Sequence, residues 1–222
     1  MAGAEVAIFA LLSFVFRPEH LELFLGMGLG ATLAMAIILF DSPPHHIERW
    51  RQGAEGERAT AKALRRIVRD GWTLVHDVDT GRGNIDHILV GPPGVFVLES
   101  KNLNGTITVK SGTLAVRWRE DPTDGYESPR LAACMRQRAA GLSGGLRSLG
   151  IAGVWVQPVV VLWGSFEQRS IESDGVAWVH GPALAEVLAA RPTTLTATGI
   201  RDATSALQRW LDDSEHLQRS AA

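Results

Sequence analysis

The chain is poor in cysteine, in net charge and, over its first forty residues, in charge of either sign. Cys134 is the only cysteine, so no disulfide can form within the chain and no cysteine-based zinc cluster can be built. A reducing compartment suits that usage. The formal net charge is −2. The first forty residues hold one of the 22 basic residues (Arg17) and three of the 24 acidic ones (Glu5, Glu19, Glu22), so the rest is balanced at 21 of each. Such a balance argues weakly against the broad electrostatic footprint of a general nucleic-acid binder, and not against a local basic groove or a metal-assisted site. No internal repeat is visible. His45-His46 follow Pro43-Pro44 directly, a spacing that suits a loop better than a pair of metal ligands.

What the first forty residues do have is hydrophobic length. Val6 to Phe16 is almost unbroken but too short to cross a bilayer by itself. Leu23 to Phe40 carries no charge and ends at Asp41-Ser42-Pro43-Pro44, which qualifies it as a transmembrane helix. If both runs span, they form a helical hairpin with Arg17-Pro18-Glu19-His20 at its tip. A cleaved signal peptide is the poorer reading, because Met1-Ala2-Gly3-Ala4-Glu5 offers no basic start. Arg49, Arg51, Arg58 and Lys62 follow the segment, so the carboxy-terminal part is expected on the cytoplasmic side of the cell membrane in either topology. Gly26, Gly30 and Ala34 recur every four residues, a spacing suited to pairing with a second copy of the helix.

The expected organisation is a membrane anchor over 1–42, a juxtamembrane linker over 43–52, a globular domain over 53–212 and a polar tail over 213–222. Ala59, Ala63, Leu64 and Ile67 share one face of a helix expected from Ala54 to Asp70, with Gly71 ending it. Trp72 to His76 reads as a strand. Gly105–Val109 and Thr113–Trp118 read as a further strand pair around Lys110-Ser111-Gly112. Asp121–Ser128 reads as a surface loop, with Ser128 and Pro129 opening a helix that runs to about Leu149. Val154–Leu162 and Val176–Val179 read as buried strands, and Pro182–Ala190 and Thr198–Leu211 as closing helices. This order predicts a single α/β domain with a mixed sheet.

The chemistry concentrates at Ile85–Val90 and Val95–Leu98, two apolar runs around Gly91-Pro92-Pro93-Gly94, which predict a tight hairpin. Glu99 and Lys101 lie two apart on one strand face, and the hairpin returns Asp86 beside them. Two carboxylates and an amine at one strand end suit a hard cation such as Mg²⁺, or Mn²⁺, with a proton-handling group alongside. The Ser100 backbone carbonyl is a further oxygen donor. Lys101 is placed to orient or deprotonate a water and to pair with phosphate. Cys134, inside a helix with no neighbouring His, reads as a packed residue rather than a nucleophile.

Asp86 followed by Glu99-Ser100-Lys101 resembles the PD-(D/E)xK nuclease superfamily. Gly53-Ala54-Glu55-Gly56-Glu57 at the head of a helix, Ile85-Asp86-His87-Ile88-Leu89-Val90 and Gly94-Val95-Phe96-Val97-Leu98-Glu99-Ser100-Lys101-Asn102 narrow the resemblance to the nuclease-related domain, NERD. It covers Gly53 to Trp118 well and the rest to Leu211 more loosely. The resemblance implies a restriction-endonuclease-like mixed sheet flanked by helices. It further implies that Glu57, Asp86 and Glu99 serve the metal and that Lys101 is catalytic. Where the family often carries Gln early in the next helix this chain has Ala132, and Gln137 is the candidate substitute for substrate positioning. A membrane-anchored, Mg²⁺-dependent nuclease acting on DNA is the leading expectation. The alternative is a membrane-tethered module that keeps the fold and binds nucleic acid or protein without catalysis. The topology has its own check. A cysteine replacing Thr123 in a Cys134→Ser chain is expected to resist membrane-impermeant thiol reagents in intact cells, and labelling there would reverse the assignment.

Overall fold

The computed structural model describes residues 26–35, 45–80, 84–121 and 123–221, without the side chains of 45–50 and 214–221. The chain divides between Trp50 and Arg51 into two compact units. In the first unit, residues 26–35 are helical and every side chain there is exposed. Among the described residues no helix is long and apolar enough to cross a membrane. The run Val6 to Phe16 lies outside the described residues, as do both ends of Leu23 to Phe40.

From His45 onward the elements are α1 (His45–Val68), β1 (Thr73–Asp79), β2 (Asn84–Gly91), β3 (Gly94–Lys110), β4 (Thr113–Trp118), β5 (Gly125–Ser128), α2 (Leu131–Ser148), β6 (Val156–Ser165), β7 (Ser170–Ser173), β8 (Val176–His180), α3 (Leu184–Ala189) and α4 (Ala197–Ala221). The eight strands form one mixed sheet in the order β1-β2-β3-β6-β8-β7, with β4 and β5 continuing from the far part of β3. β3, β6 and β8 run parallel, and the other pairings are antiparallel. Helices flank the sheet as the sequence predicts.

Side-chain alternation builds a core on each face of this sheet. Val95, Val97, Val160, Leu162 and Trp178 pack on one side with Met135, Ala139 and Leu142 of α2 and Ala206 and Leu207 of α4. Phe96, Leu98, Val159, Val161 and Val179 pack on the other with Leu64 and Ile67 of α1 and Leu184 and Leu188 of α3. Strands covered on both faces read as continuous apolar runs, which is why β3 and β6 were legible at once.

Several boundaries differ from the sequence reading. His45-His46 open α1 instead of sitting in a loop, and the helix takes in most of the stretch read as a linker. β3 is a single strand of 17 residues: along one edge β2 pairs with it as far as Leu98 and β4 takes over from Gly105, while along the other β6 pairs to Asn102 and again at Thr106. Part of the expected loop before α2 is β5, which pairs with β4, so Ser128 ends a strand rather than capping a helix. Arg130 stands at the helix start with no side-chain cap. β7, a short strand beside β8, had no apolar run to announce it. The last helix continues to Ala221 through the residues read as a polar tail.

A buried polar knot ties α1 to the sheet. Thr60, fully buried, accepts hydrogen bonds from Ser100 Oγ and from Trp163 Nε1, both at 2.8 Å. Asn102 Nδ2 donates to the Gln52 carbonyl at 3.1 Å. Gly56 sits over Asn102, where a Cβ would stand 2.9 Å from the Asn102 Cβ. The middle of α1 is thereby held against the strand at Ser100 and Asn102. Thr60→Val keeps the shape and removes both acceptor contacts. It is expected to destabilise the chain by about 1–3 kcal/mol, read from the urea midpoint, with Thr60→Ser retaining most of the stability.

Candidate active site

The β2–β3 hairpin sets the geometry. The last paired residues are His87 and Leu98, and the same register carried one step further puts Asp86 opposite Glu99. Glu99 continues the face of Val95 and Val97, whereas Ser100 turns to the α1 side, where its hydroxyl meets Thr60. Asp86 Oδ2 accepts a hydrogen bond from the Ser100 backbone N–H at 2.7 Å. Lys101 Nζ donates to Glu99 Oε1 at 2.7 Å. The other Glu99 oxygen, Oε2, is taken by the Arg138 guanidinium from α2. Asp86, Glu99 and Lys101 are thus together, as the spacing predicts.

Glu57, which the longer helix places in the middle of α1 rather than at its head, completes the group electrostatically. Burial raises its carboxyl above the ordinary value first, then the charges of Asp77 and Glu99, while Lys101 pulls it down. Asp86 is affected more strongly. Burial, then Glu99, push its carboxyl up to about 6 against the restraint of the Ser100 N–H, with Glu57 adding repulsion and Lys101 opposing it. Carboxylates crowded at a dry strand end repel one another, and a cation relieves that pressure.

Behind Asp86 lies a histidine pair. His87, buried on the α1 side, contacts His76 of β1 through their Nδ1 atoms at 2.9 Å, with the rings edge to face. Burial, then His76, hold His87 down to about 4, so the ring is neutral at pH 7. Among the described residues no group makes a full hydrogen bond to its buried Nε2, although the Glu57 backbone opposes the downward shift. Asp77 stands between these groups at φ +51, a left-handed conformation inside a strand, and its charge acts on both Glu57 and His87.

The donor chemistry fits a hard divalent cation: carboxylate oxygens, no soft ligand, and repulsion that a positive charge would quench. Among the described residues, however, no three His, Cys, Asp or Glu side chains converge as a ready cage. Both oxygens of Glu99 are engaged by cationic side chains.

Other candidates sit apart. Ser100 is present through its N–H and hydroxyl. Gln137 is exposed and lines a cavity of about 370 Å³ together with Thr80, Ile85, Cys134, Arg138 and Trp210. Cys134 is exposed rather than packed, because α2 buries Ala132, Met135 and Ala139 instead.

Sequence reasoning missed Arg138, Thr60, Asp77 and His76. Two of these leave a signal. Thr60 shares the apolar stripe of Leu64 and Ile67, and Arg138 borders that of Met135, Ala139 and Leu142, so each polar group needs a partner. For Asp77 and His76 nothing local gives the role away.

Comparison with known proteins agrees with this geometry. The family model described as nuclease-related domain, NERD, matches residues 52–163, just over half of the 222-residue chain. The chain belongs to the NERD family. An uncharacterized protein of Bacillus anthracis is 31% identical over 93 residues, which is 40% of this chain and 42% of that protein. The match therefore spans less than half the length of that curated relative. No solved structure matches the chain.

The electrostatics give a pH test with opposing signs. Asp86 holds its proton more tightly folded (about 6) than at its ordinary 3.8. Its contribution to stability is therefore full below 3.8 and lost as pH rises through 6. His87 works the other way, since stability falls as pH drops from its ordinary 6.5 toward about 4. Asp86→Asn isolates the first effect. In EDTA, wild type is expected to gain on this variant by up to about 3 kcal/mol between pH 8 and pH 4, read from urea midpoints. A difference constant with pH would mean that Asp86 titrates as in the unfolded chain.

Proposed function

We propose that this chain is a Mg²⁺-dependent nuclease, with Mn²⁺ an alternative ion, that hydrolyses phosphodiester bonds of DNA. The observation that carries this reading is the meeting of Asp86, Glu99 and Lys101 at one strand end, with Glu57 close enough to feel all three charges. A binding module has no need of an amine held between crowded carboxylates.

In this reading Asp86, Glu99 and Glu57 hold the cation, with the Ser100 carbonyl as a further donor. The bound ion supplies positive charge against the developing phosphorane and makes nearby water easier to deprotonate. The Ser100 N–H keeps Asp86 in its rotamer. Lys101 orients the attacking water, accepts its proton when unprotonated, and otherwise pairs with a non-bridging phosphate oxygen. The new bond joins the water oxygen to phosphorus as the bond to the leaving oxygen breaks. Gln137, on the rim of the neighbouring cavity, is the candidate for substrate positioning.

We place the domain at the cytoplasmic face of the cell membrane, tethered through residues 1–42. The basic residues that follow the apolar segment support this. So do the exposed Met27, Leu29, Leu33 and Met35 on the helix at 26–35. Among the described residues nothing lies within 4 Å of a Cβ added at Gly26 or Gly30, and the small-residue spacing there suits pairing with a second copy of the helix.

One observation favours the non-catalytic alternative, namely that both Glu99 oxygens are already ion-paired. Cleavage of plasmid and single-stranded DNA by the full chain decides, with Mg²⁺ or EDTA and beside Lys101→Ala. Expected is metal-dependent cleavage that falls by about 10²-fold or more in the variant. A folded chain that takes up Mg²⁺ yet leaves both substrates intact would favour the tethered binding module.

A further inference from the structure

The site holds a conflict that the metal-dependent reading must resolve. Glu99 is an anion with only 11% of its side chain exposed, and it is held from both sides by cations. Lys101 takes Oε1, while Arg138, itself 24% exposed, takes Oε2. A dication approaching this carboxylate meets two positive charges already in place, and in a partly desolvated site that repulsion is weakly screened. One of them has to leave.

Geometry distinguishes the two. Lys101 lies on the same strand as Glu99, two residues on, so its amine stays beside the carboxylate wherever the strand goes. Arg138 comes from a separate element, α2, and reaches Glu99 past Met135, whose Sδ lies 3.8 Å from the same guanidinium nitrogen. It also lines the cavity of about 370 Å³, so it has open volume to turn into. Ile85, next to Asp86 on β2, and Gln137 line the same cavity, which therefore adjoins the carboxylate cluster. A guanidinium released there would present a planar fork of donors, the arrangement that suits a phosphate oxygen pair.

We propose that Arg138 is a latch on Glu99. In the cation-free chain it occupies the oxygen that a divalent ion needs, and cation entry frees it toward the cavity, where it takes a phosphate group of the nucleic acid. The proposal rests on the metal-dependent reading above and makes Arg138 a positioning residue that links the two binding events. Cation and phosphodiester each favour the state that the other requires, so each tightens the other.

The test is uptake of Mg²⁺, and of Mn²⁺, by the full chain and by Arg138→Gln without nucleic acid, read by titration calorimetry. In parallel, the Arg138 guanidinium ¹⁵N–¹H signal of the unaltered chain is followed by NMR through the same titration. Expected is about tenfold tighter cation binding by Arg138→Gln, the scale of one charge-assisted hydrogen bond no longer given up in exchange. The ion-paired guanidinium signal is expected to vanish as the unaltered chain fills. Equal or weaker binding by the variant overturns the latch and leaves the metal site standing. So does a guanidinium signal unchanged at cation saturation. No uptake of either cation by the unaltered chain overturns the metal site and the latch together. Should Arg138→Gln fail to fold, the NMR titration on the unaltered chain decides alone.

Discussion

Asp86 and Glu99 stand opposite each other where β2 and β3 part, and much of the domain serves to hold that like-charge pair in a half-dry place. Two carboxylates on facing strand positions repel, and burial sharpens the repulsion, which is why the Asp86 carboxyl is lifted to about 6. The pair persists because each member has a fixed partner. Asp86 has the Ser100 N–H, and Glu99 has Lys101 and Arg138. Those partners come from the strand itself and from a helix packed on one face. The opposite face contributes Glu57 and the Thr60 knot from α1.

The arrangement explains the two-faced character of β3. Along Val95 to Leu98 the strand is apolar on both sides and anchors both cores. One residue later it becomes polar on both sides at once, with Glu99 facing α2 and Ser100 facing α1. Along one edge its pairing with β2 ends at Leu98 and its pairing with β4 begins at Gly105. The gap between the two partners falls at the residues that carry charge, so rigid core and charged end belong to one strand. A site built on such a strand is positioned by the packing beneath it rather than by loop conformation. Family membership and this geometry agree on a nuclease-like fold.

A buried carboxylate needs charge compensation, and the chain offers it in two forms. Its own Lys101 and Arg138 compensate Glu99 in the structure as it stands. A divalent ion would compensate the whole group, Asp86 and Glu57 included. The two forms would meet at the Glu99 carboxylate, and among the described residues no ready cage is present.

Much of this was legible in the residues alone, wherever the signal was local. Period-two spacing placed Glu99 and Lys101 on one face, the Gly-Pro-Pro-Gly turn set the hairpin, and unbroken apolar runs marked β3 and β6 as central strands. The short β5 and β7 were not legible, because an edge strand of four residues has no core face to give it a pattern. Cys134 was misread because helical periodicity alone did not say which face α2 turns to the sheet. Arg138 and Thr60 were visible only as polar residues on or beside apolar stripes. What the sequence determined by itself was the register that brings Asp86, Glu99 and Lys101 together, since this depends on one hairpin and on period-two spacing. Which cation reaches Glu99 from another element, and how firmly α1 is tied to the sheet, only the tertiary structure decided, because those contacts join residues about 40 apart along the chain.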